Sequence, residues 1–222
     1  MREAIARFVD DSDFLDFKAD YGVPTVCGHA AVQGHKVGII TNNGPLDPAG
    51  ATKATHFIQR CCQAGLPILY LQNTTGYIVG KASEQAGMIK HGAKMIQAVA
   101  NATVPQITLH IGASFGAGNY GMCGRAYGPR FAFSWPNAKT AVMGGEQAAM
   151  TMRLVMEAKL KRGGGYVDTA QLDALEKQII DTFDRQSSAF YTSGRLLDDG
   201  IIDPRDTRKV LAWVLSICRE AD

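Results

Sequence analysis

Short alternating runs of apolar and polar residues separate stretches of helical spacing over the first two thirds of this chain. Ile5, Phe8, Val9, Phe14, Leu15 and Phe17 suggest a helix, a turn at 11–13 and a second short helix. Residues 25–33 and 36–41 read as two strands around a Gly34–His35 hairpin signal. After the loop NNGPLDPAG, Asp47 can cap a helix and Pro48 suits its first position. Ala51, Ala54, Phe57, Ile58, Cys61 and Cys62 then recur at three- and four-residue steps, and Gly65 and Pro67 stop the helix. Residues 67–72 form a short apolar strand, followed by a loop at 73–76. A helix over 83–101 has Ile89, Ala93, Ile96 and Ala100 on one face, with Met88, Met95 and Val99 beside it.

Next comes PQITLHIGASFGAGNYGM, on which the rest turns. Ile107, Leu109 and Ile111 alternate as in a strand; then glycines follow at 112, 116, 118 and 121, and a helix is expected to start near Gly116. Two short strands, 131–134 and 140–143, surround Trp135-Pro136-Asn137. Beyond Gly145 the chain reads as helical, over 146–162, over 169–193 after a flexible Gly163-Gly164-Gly165, and again after Asp203-Pro204. Strands separated by helices favour a mainly parallel sheet with right-handed crossovers. No repeat or linker divides the chain, so one α/β domain is expected.

Composition narrows the function little. A net charge of +2 gives no reason to expect nucleic acid or an anionic membrane as partner. No apolar run is long enough to span a bilayer, and MREAIARFVDDSDF does not read as a signal peptide. The five cysteines include no CxxC, which points to thiols in a reducing compartment, and no metal site is expected.

The glycine turn is where chemistry is expected. Small residues let the backbone approach a guest closely, and the first N–H groups of a helix have no partner within it. A partly negative oxygen suits that place. Two motif matches fail here. Gly116-Ala117-Gly118-Asn119-Tyr120-Gly121 fits GxGxxG, yet no Asp or Glu lies between Cys123 and Gly145 to take ribose hydroxyls. Gly112-Ala113-Ser114-Phe115-Gly116 fits GxSxG, but all five histidines precede Ser114, whereas the triad histidine of that fold follows its serine. Ser114 is therefore read as a small packing residue, and Lys90-His91 as a partly exposed pair on a helix face.

With these set aside, IGASFGAGNYGMCGRAYGPRF, with LQNTTGYIVG upstream and WPNAKTAVMGGEQAA downstream, resembles the β subunit of biotin-dependent acyl-CoA carboxylases. The methylcrotonoyl-CoA and geranyl-CoA branch is the most similar. The resemblance runs from DFKADYGVPTVCGHAAVQGHKVGIITNNGPL to GRLLDDGIIDPRDTRKVL. It implies a crotonase (ClpP/crotonase-like) fold, built of ββα units with a mainly parallel sheet and a helical C-terminal region. It further implies that residues 1–222 are the acyl-CoA carboxyltransferase C-terminal domain, without the N-terminal half of the family subunit.

In that family carboxybiotin, carried on a partner subunit or domain, gives up CO2 and its ureido nitrogen takes a proton from the acyl-CoA. The resulting enolate attacks the CO2, so the protein mainly stabilises oxyanions and excludes water. By the resemblance, the backbone N–H groups of Ala117 and Gly118 hold the ureido oxygen. Gly116, Thr75, Gly76 and Tyr77 border the biotin, and Arg125 and Arg130 are candidates for CoA phosphates. Propionyl-type members place an Asp where Tyr120 stands, which disfavours short saturated acyl groups. The implied partners are the N-terminal half, a biotin carboxylase/biotin carrier subunit and further copies of the chain. The implied compartment is the cytoplasm, or the mitochondrial matrix in a eukaryote. A non-catalytic assembly module and a stand-alone crotonase-fold acyl-CoA enzyme remain as alternatives. The second is disfavoured because no Glu or Asp lies near the glycine turn.

Overall fold

The computed structural model describes residues 1–162 and 169–220. The glycine run expected to break the C-terminal helices at 163–165 lies outside the described residues. The chain starts with α1 (Arg2–Ala6), but the second helix expected near residue 15 is instead an edge strand, β1 (Leu15–Asp16). It pairs antiparallel with His29 and Gly28. The cause is a close approach: the Phe14 ring occupies the space a Cβ on Gly28 would need, and the Phe17 N–H donates to the Cys27 carbonyl at 2.7 Å.

The hairpin of β2 (Thr25–Val32) and β3 (His35–Asn42) turns at Gln33 and Gly34, one residue earlier than its sequence signal. Both turn residues have positive φ, 49° and 81°, the twist a two-residue hairpin favours. The Asp10 carboxylate accepts both of their N–H groups at 2.8 Å. In α2 (Pro48–Gln63) the cap is as read, with Asp47 Oδ1 accepting from the Gly50 N–H at 2.6 Å. Next, β4 (Ile68–Thr74) runs two residues past its expected end.

The helix expected over 83–101 is broken at Gly87, whose φ is +86°, into α3 (Lys81–Gln85) and α4 (Met88–Ala100). Its buried face is Met88, Gly92, Met95 and Val99, while Ile89 is 76% exposed. The expected apolar face therefore points outward. The reason is a tyrosine wedge: Tyr77 lies against Gly92, the one position on that face with room for a ring.

Then follow β5 (Gln106–Phe115), α5 (Gly116–Gly121), β6 (Phe131–Ser134) and β7 (Lys139–Ala141). The C-terminal helices are α6 (Gly145–Arg162), α7 (Thr169–Ser187), α8 (Ala189–Ser193) and α9 (Thr207–Glu220). The expected helix over 169–193 is thus two, because Ser188 adopts an extended conformation and caps α8 by accepting from the Tyr191 N–H. Asp203 caps a single 3-10 turn ahead of α9.

The strands form one sheet in the order β1-β2-β3-β4-β5-β6, with β7 also pairing with β5 past the end of β6. From β3 onward every strand-to-strand pairing within the sheet is parallel. One face carries Ile39, Leu69, Leu71, Ile107 and Leu109 and is covered by α9, through Leu211, Val214 and Leu215, and by Ile5 of α1. The opposite face carries Ile40, Ile68 and Tyr70 and is covered by α2 and α4, through Phe57, Ile58, Met95 and Val99. Helices on both faces of a parallel sheet leave the carboxyl ends of the strands as the natural crevice. Here those ends are Thr74 and Phe115.

Candidate functional site

Two connections leave those strand ends and meet. After β4, Thr74 shapes its own turn: the Gly76 N–H donates to Thr74 Oγ1 at 3.2 Å. The loop is then pinned to the chain before α2, with Leu46 N–H donating to the Gly76 carbonyl and Ile78 N–H to the Leu46 carbonyl, each at 2.9 Å. After β5, the backbone bends at Gly116, with φ +55°, directly into α5.

Contact between the two is possible only because glycine faces glycine. A Cβ on Gly118 would sit 2.7 Å from the Gly76 Cα, and one on Gly121 would collide with the Tyr77 hydroxyl. Tyr77 is thus wedged between α4 and α5, its Oη donating weakly to the Gly92 carbonyl at 3.5 Å. Burial pushes its phenol pKa up, with the Tyr127 phenol adding to the effect. The third wall is the β7–α6 connection, whose Val142 carbonyl lies 3.0 Å from where a Gly116 Cβ would be.

The structure therefore brings together Thr75, Gly76, Tyr77, Gly116, Ala117 and Gly118. Thr75 and Ala117 are exposed, and Gly76 and Gly118 are buried. No side chain caps the N-terminus of α5, so its first N–H groups remain available as donors. The arrangement offers backbone dipoles to an oxygen.

The two arginines stand apart from this group. Arg125 Nη1 donates to Asp199 Oδ1 at 3.0 Å in a half-exposed ion pair. The Arg130 N–H donates to the Gln106 carbonyl, at the opposite end of β5 from the turn. At about 3.3 Å per residue that is roughly 30 Å away.

Sequence reading missed two residues beneath the turn. Gln72 is fully buried at the end of β4, and its Nε2 donates to the Met122 carbonyl at 2.8 Å. Its Oε1 accepts from the Ser114 hydroxyl. Asn119 Nδ2 in turn donates to Ser114 Oγ at 2.8 Å. Ser114 is thus a buried hydrogen-bonded residue and not merely a small one. A glutamine buried in a parallel strand demands partners, but which groups it meets is set only by the fold.

His110, four residues before Ser114, bonds elsewhere: its Nδ1 lies 3.2 Å from the Phe133 carbonyl, and burial lowers its pKa. His91 is half-buried on the side of α4 that faces α2, with Nδ1 3.0 Å from Thr52 Oγ1. We expect His91→Ala and Ser114→Ala each to lower kcat by less than about a thousandfold, because neither is placed as a base or nucleophile. Steady-state kinetics of any reaction that this site supports check this, and a larger loss at either position overturns it.

The comparison that decides the family covers nearly every residue: the model of the carboxyl transferase domain matches residues 1–221. The chain belongs to the carboxyl transferase domain family. It is 50% identical over 218 residues to the mitochondrial methylcrotonoyl-CoA carboxylase beta chain of Dictyostelium discoideum, covering 98% of this chain and 37% of that one. It is 48% identical over 221 residues to the biotin-dependent 3-methylcrotonyl-coenzyme A carboxylase beta1 subunit of Mycobacterium tuberculosis, covering 100% of this chain and 42% of that one.

Among solved structures, the beta subunit of Pseudomonas aeruginosa geranyl-CoA carboxylase superposes with a TM-score of 0.94 at 53% identity, over 99% of this chain and 41% of that one. The 12S transcarboxylase, a hexamer crystallised with hydrolysed methylmalonyl-coenzyme A, superposes at 0.86 and 33% identity, over 97% and 41%. This carboxyl transferase domain accordingly has the crotonase-like α/β fold that its sequence implied, and it spans about two fifths of the length of these relatives.

Proposed function

We infer that this chain is the C-terminal, biotin-side half of an acyl-CoA carboxyltransferase, moving CO2 from carboxybiotin to an acyl-CoA. The observation that carries the reading is the uncapped N-terminus of α5, facing the loop after β4 where both strands end. The residues fit a neutral ureido group: the donors are main-chain N–H groups, and the walls are the Gly76 and Gly118 backbones, Thr75 and the Val142 carbonyl. When bound, carboxybiotin supplies the CO2.

Ala117 and Gly118 would offer their N–H groups to the ureido oxygen and stabilise negative charge on it. One such donor is worth on the order of 3 kcal/mol in the transition state. Gly116 lets the backbone turn into that position, and Thr75 and Gly76 border the same space. Tyr77 holds the two connections at their spacing from behind. Of the arginines, Arg125 is the one near α5, and we assign it a CoA-facing role at the rim; Arg130 would have to meet CoA elsewhere. Tyr120, 45% exposed and packed on Tyr127 at 5.6 Å, adds an apolar edge that suits a branched, unsaturated acyl group.

The proposed partners are an acyl-CoA-binding N-terminal half, a biotin carboxylase/biotin carrier subunit and further copies of the chain. The exposed apolar residues Met150, Leu154 and Val155 on α6 support such a covered face. Among the described residues no helix is long and apolar enough to cross a membrane, and we assign the assembly to the cytoplasm or, in a eukaryote, the mitochondrial matrix.

Native mass spectrometry of the protein purified from its own cells tests the assignment. The expected result is this sequence within a chain more than twice as long, or beside a crotonase-like chain and a biotinylated subunit. A self-associated 23.9 kDa chain without either would overturn it.

A further inference from the structure

The oxyanion turn has no apolar anchor of its own. Helix α5 is six residues long, GAGNYG, and what it buries is the backbone of Gly118 and Gly121. A helix so short and so rich in glycine does not hold its shape unaided. Tyr120 points outward, and Asn119 is the one α5 side chain with partners below the turn.

Those partners form a closed circuit. Gln72 of β4 reaches both ends of α5 at once: its carbonyl oxygen accepts from Ser114, two residues before the helix, and its amide nitrogen donates to the Met122 carbonyl just after it. Asn119, from the middle of the helix, donates to Ser114 Oγ at 2.8 Å and more distantly to Gln72 Oε1 at 3.4 Å. Thr108 Oγ1 extends the clamp by donating to the Cys123 carbonyl at 2.5 Å. Gln72, Ser114 and Thr108 are shut off from solvent. In such surroundings a satisfied network strengthens each of its bonds, and a broken one leaves costly orphans.

We propose that Gln72, with Ser114 and Asn119, positions the oxyanion turn, holding the Ala117 and Gly118 N–H groups in register with the loop after β4. The catalytic part of this inference rests on the carboxyltransferase reading; the mechanical part does not. The glutamine amide is suited to the task because it presents an acceptor to Ser114 and a donor to Met122 from a single side chain. A carboxylate offers only acceptors and would repel the Met122 carbonyl. A neutral carboxylic acid restores one donor and one acceptor. Gln72→Glu is therefore a switchable version of the same part.

The test has two readouts. Hydrogen exchange in this chain measures the amides of Met122, Cys123 and Gly124, which donate to the Gly118, Tyr120 and Asn119 carbonyls. In Gln72→Leu these should exchange about tenfold faster or more, while the amides of α2 stay as they were. In Gln72→Glu they should be loosened at pH 8 and tighten toward wild type as the pH falls, each compared with wild type at the same pH.

In the assembled carboxylase, Gln72→Leu should lower kcat about a hundredfold with the KM for acyl-CoA unchanged, the cost of misplacing reacting groups by about an ångström. Wild-type exchange in Gln72→Leu, or a Gln72→Glu profile parallel to wild type, would overturn the positioning role. If Gln72→Leu does not fold, the pH dependence of Gln72→Glu decides alone. Faster exchange with an unchanged kcat would leave the clamp standing and would instead overturn the assignment of Ala117 and Gly118.

Discussion

Replacing Gly118 with proline is expected to cut carboxyl transfer in the assembled enzyme by at least about a hundredfold, with acyl-CoA affinity nearly unchanged. Proline removes the N–H assigned to the ureido oxygen, and its ring also enters space held by the Gly76 backbone. The second effect needs a control. Gly118→Ala keeps the N–H, yet its Cβ would stand 2.7 Å from the Gly76 Cα, so the loop has to yield. The alanine variant sets aside the steric cost of a Cβ, and what remains in the proline variant is the lost N–H together with the ring's restraint on Ala117. Burst kinetics and equilibrium binding of acyl-CoA supply the two numbers. A normal rate in Gly118→Pro would remove the oxyanion assignment altogether.

The largest expected effect on stability is at Phe57. Its side chain is fully buried between α2 and the sheet, with ring centroids 5.3 Å from Phe17 and 5.0 Å from His29. It also lies over Gly38, where a Cβ would be 3.1 Å from the Phe57 ring. Phe57→Ala leaves a cavity beside a rigid strand that cannot close it, at a cost of about 3–5 kcal/mol. Against a total of roughly 5–15 kcal/mol that is a large share, and urea denaturation should show it as a fall in midpoint at constant slope.

A second signature follows from His29. Burial, with help from Arg60, now lowers its pKa. Water entering the Phe57→Ala cavity should raise it toward the ordinary imidazole value, visible by proton NMR. A loss below about 1 kcal/mol would mean that Phe17 and His29 collapse into the space.

These features were unequally legible in the sequence. The strand into glycine at 105–122 and the Asp47–Pro48 helix start could be read because each has a local cause, a steric need or a hydrogen bond a few residues long. The edge strand at Leu15–Asp16 could not, since it exists through Phe14 lying on Gly28, a contact between distant residues. The inward face of α4 was misread for a similar reason: Gly92 has no hydrophobicity to score, and what makes it interior is the Tyr77 ring. Gln72 and Asn119 were hidden because polar side chains carry no periodic signal; their meaning lies in which carbonyl or hydroxyl they meet after folding.

The meeting of Gly118 with Gly76, and of Gly121 with Tyr77, also bears on how such a site can change over generations. Every single-base change that replaces a glycine introduces a Cβ, so at these two codons no missense variant is sterically silent. Heritable drift is then channelled to positions that turn outward between them: Thr75, Ala117, Tyr120 and Val142 are exposed and can vary without moving the backbone. On the proposed reading, a lineage changes what that rim contacts while the frame behind it stays fixed. Diversification would then leave its record at four variable letters set among invariant glycines.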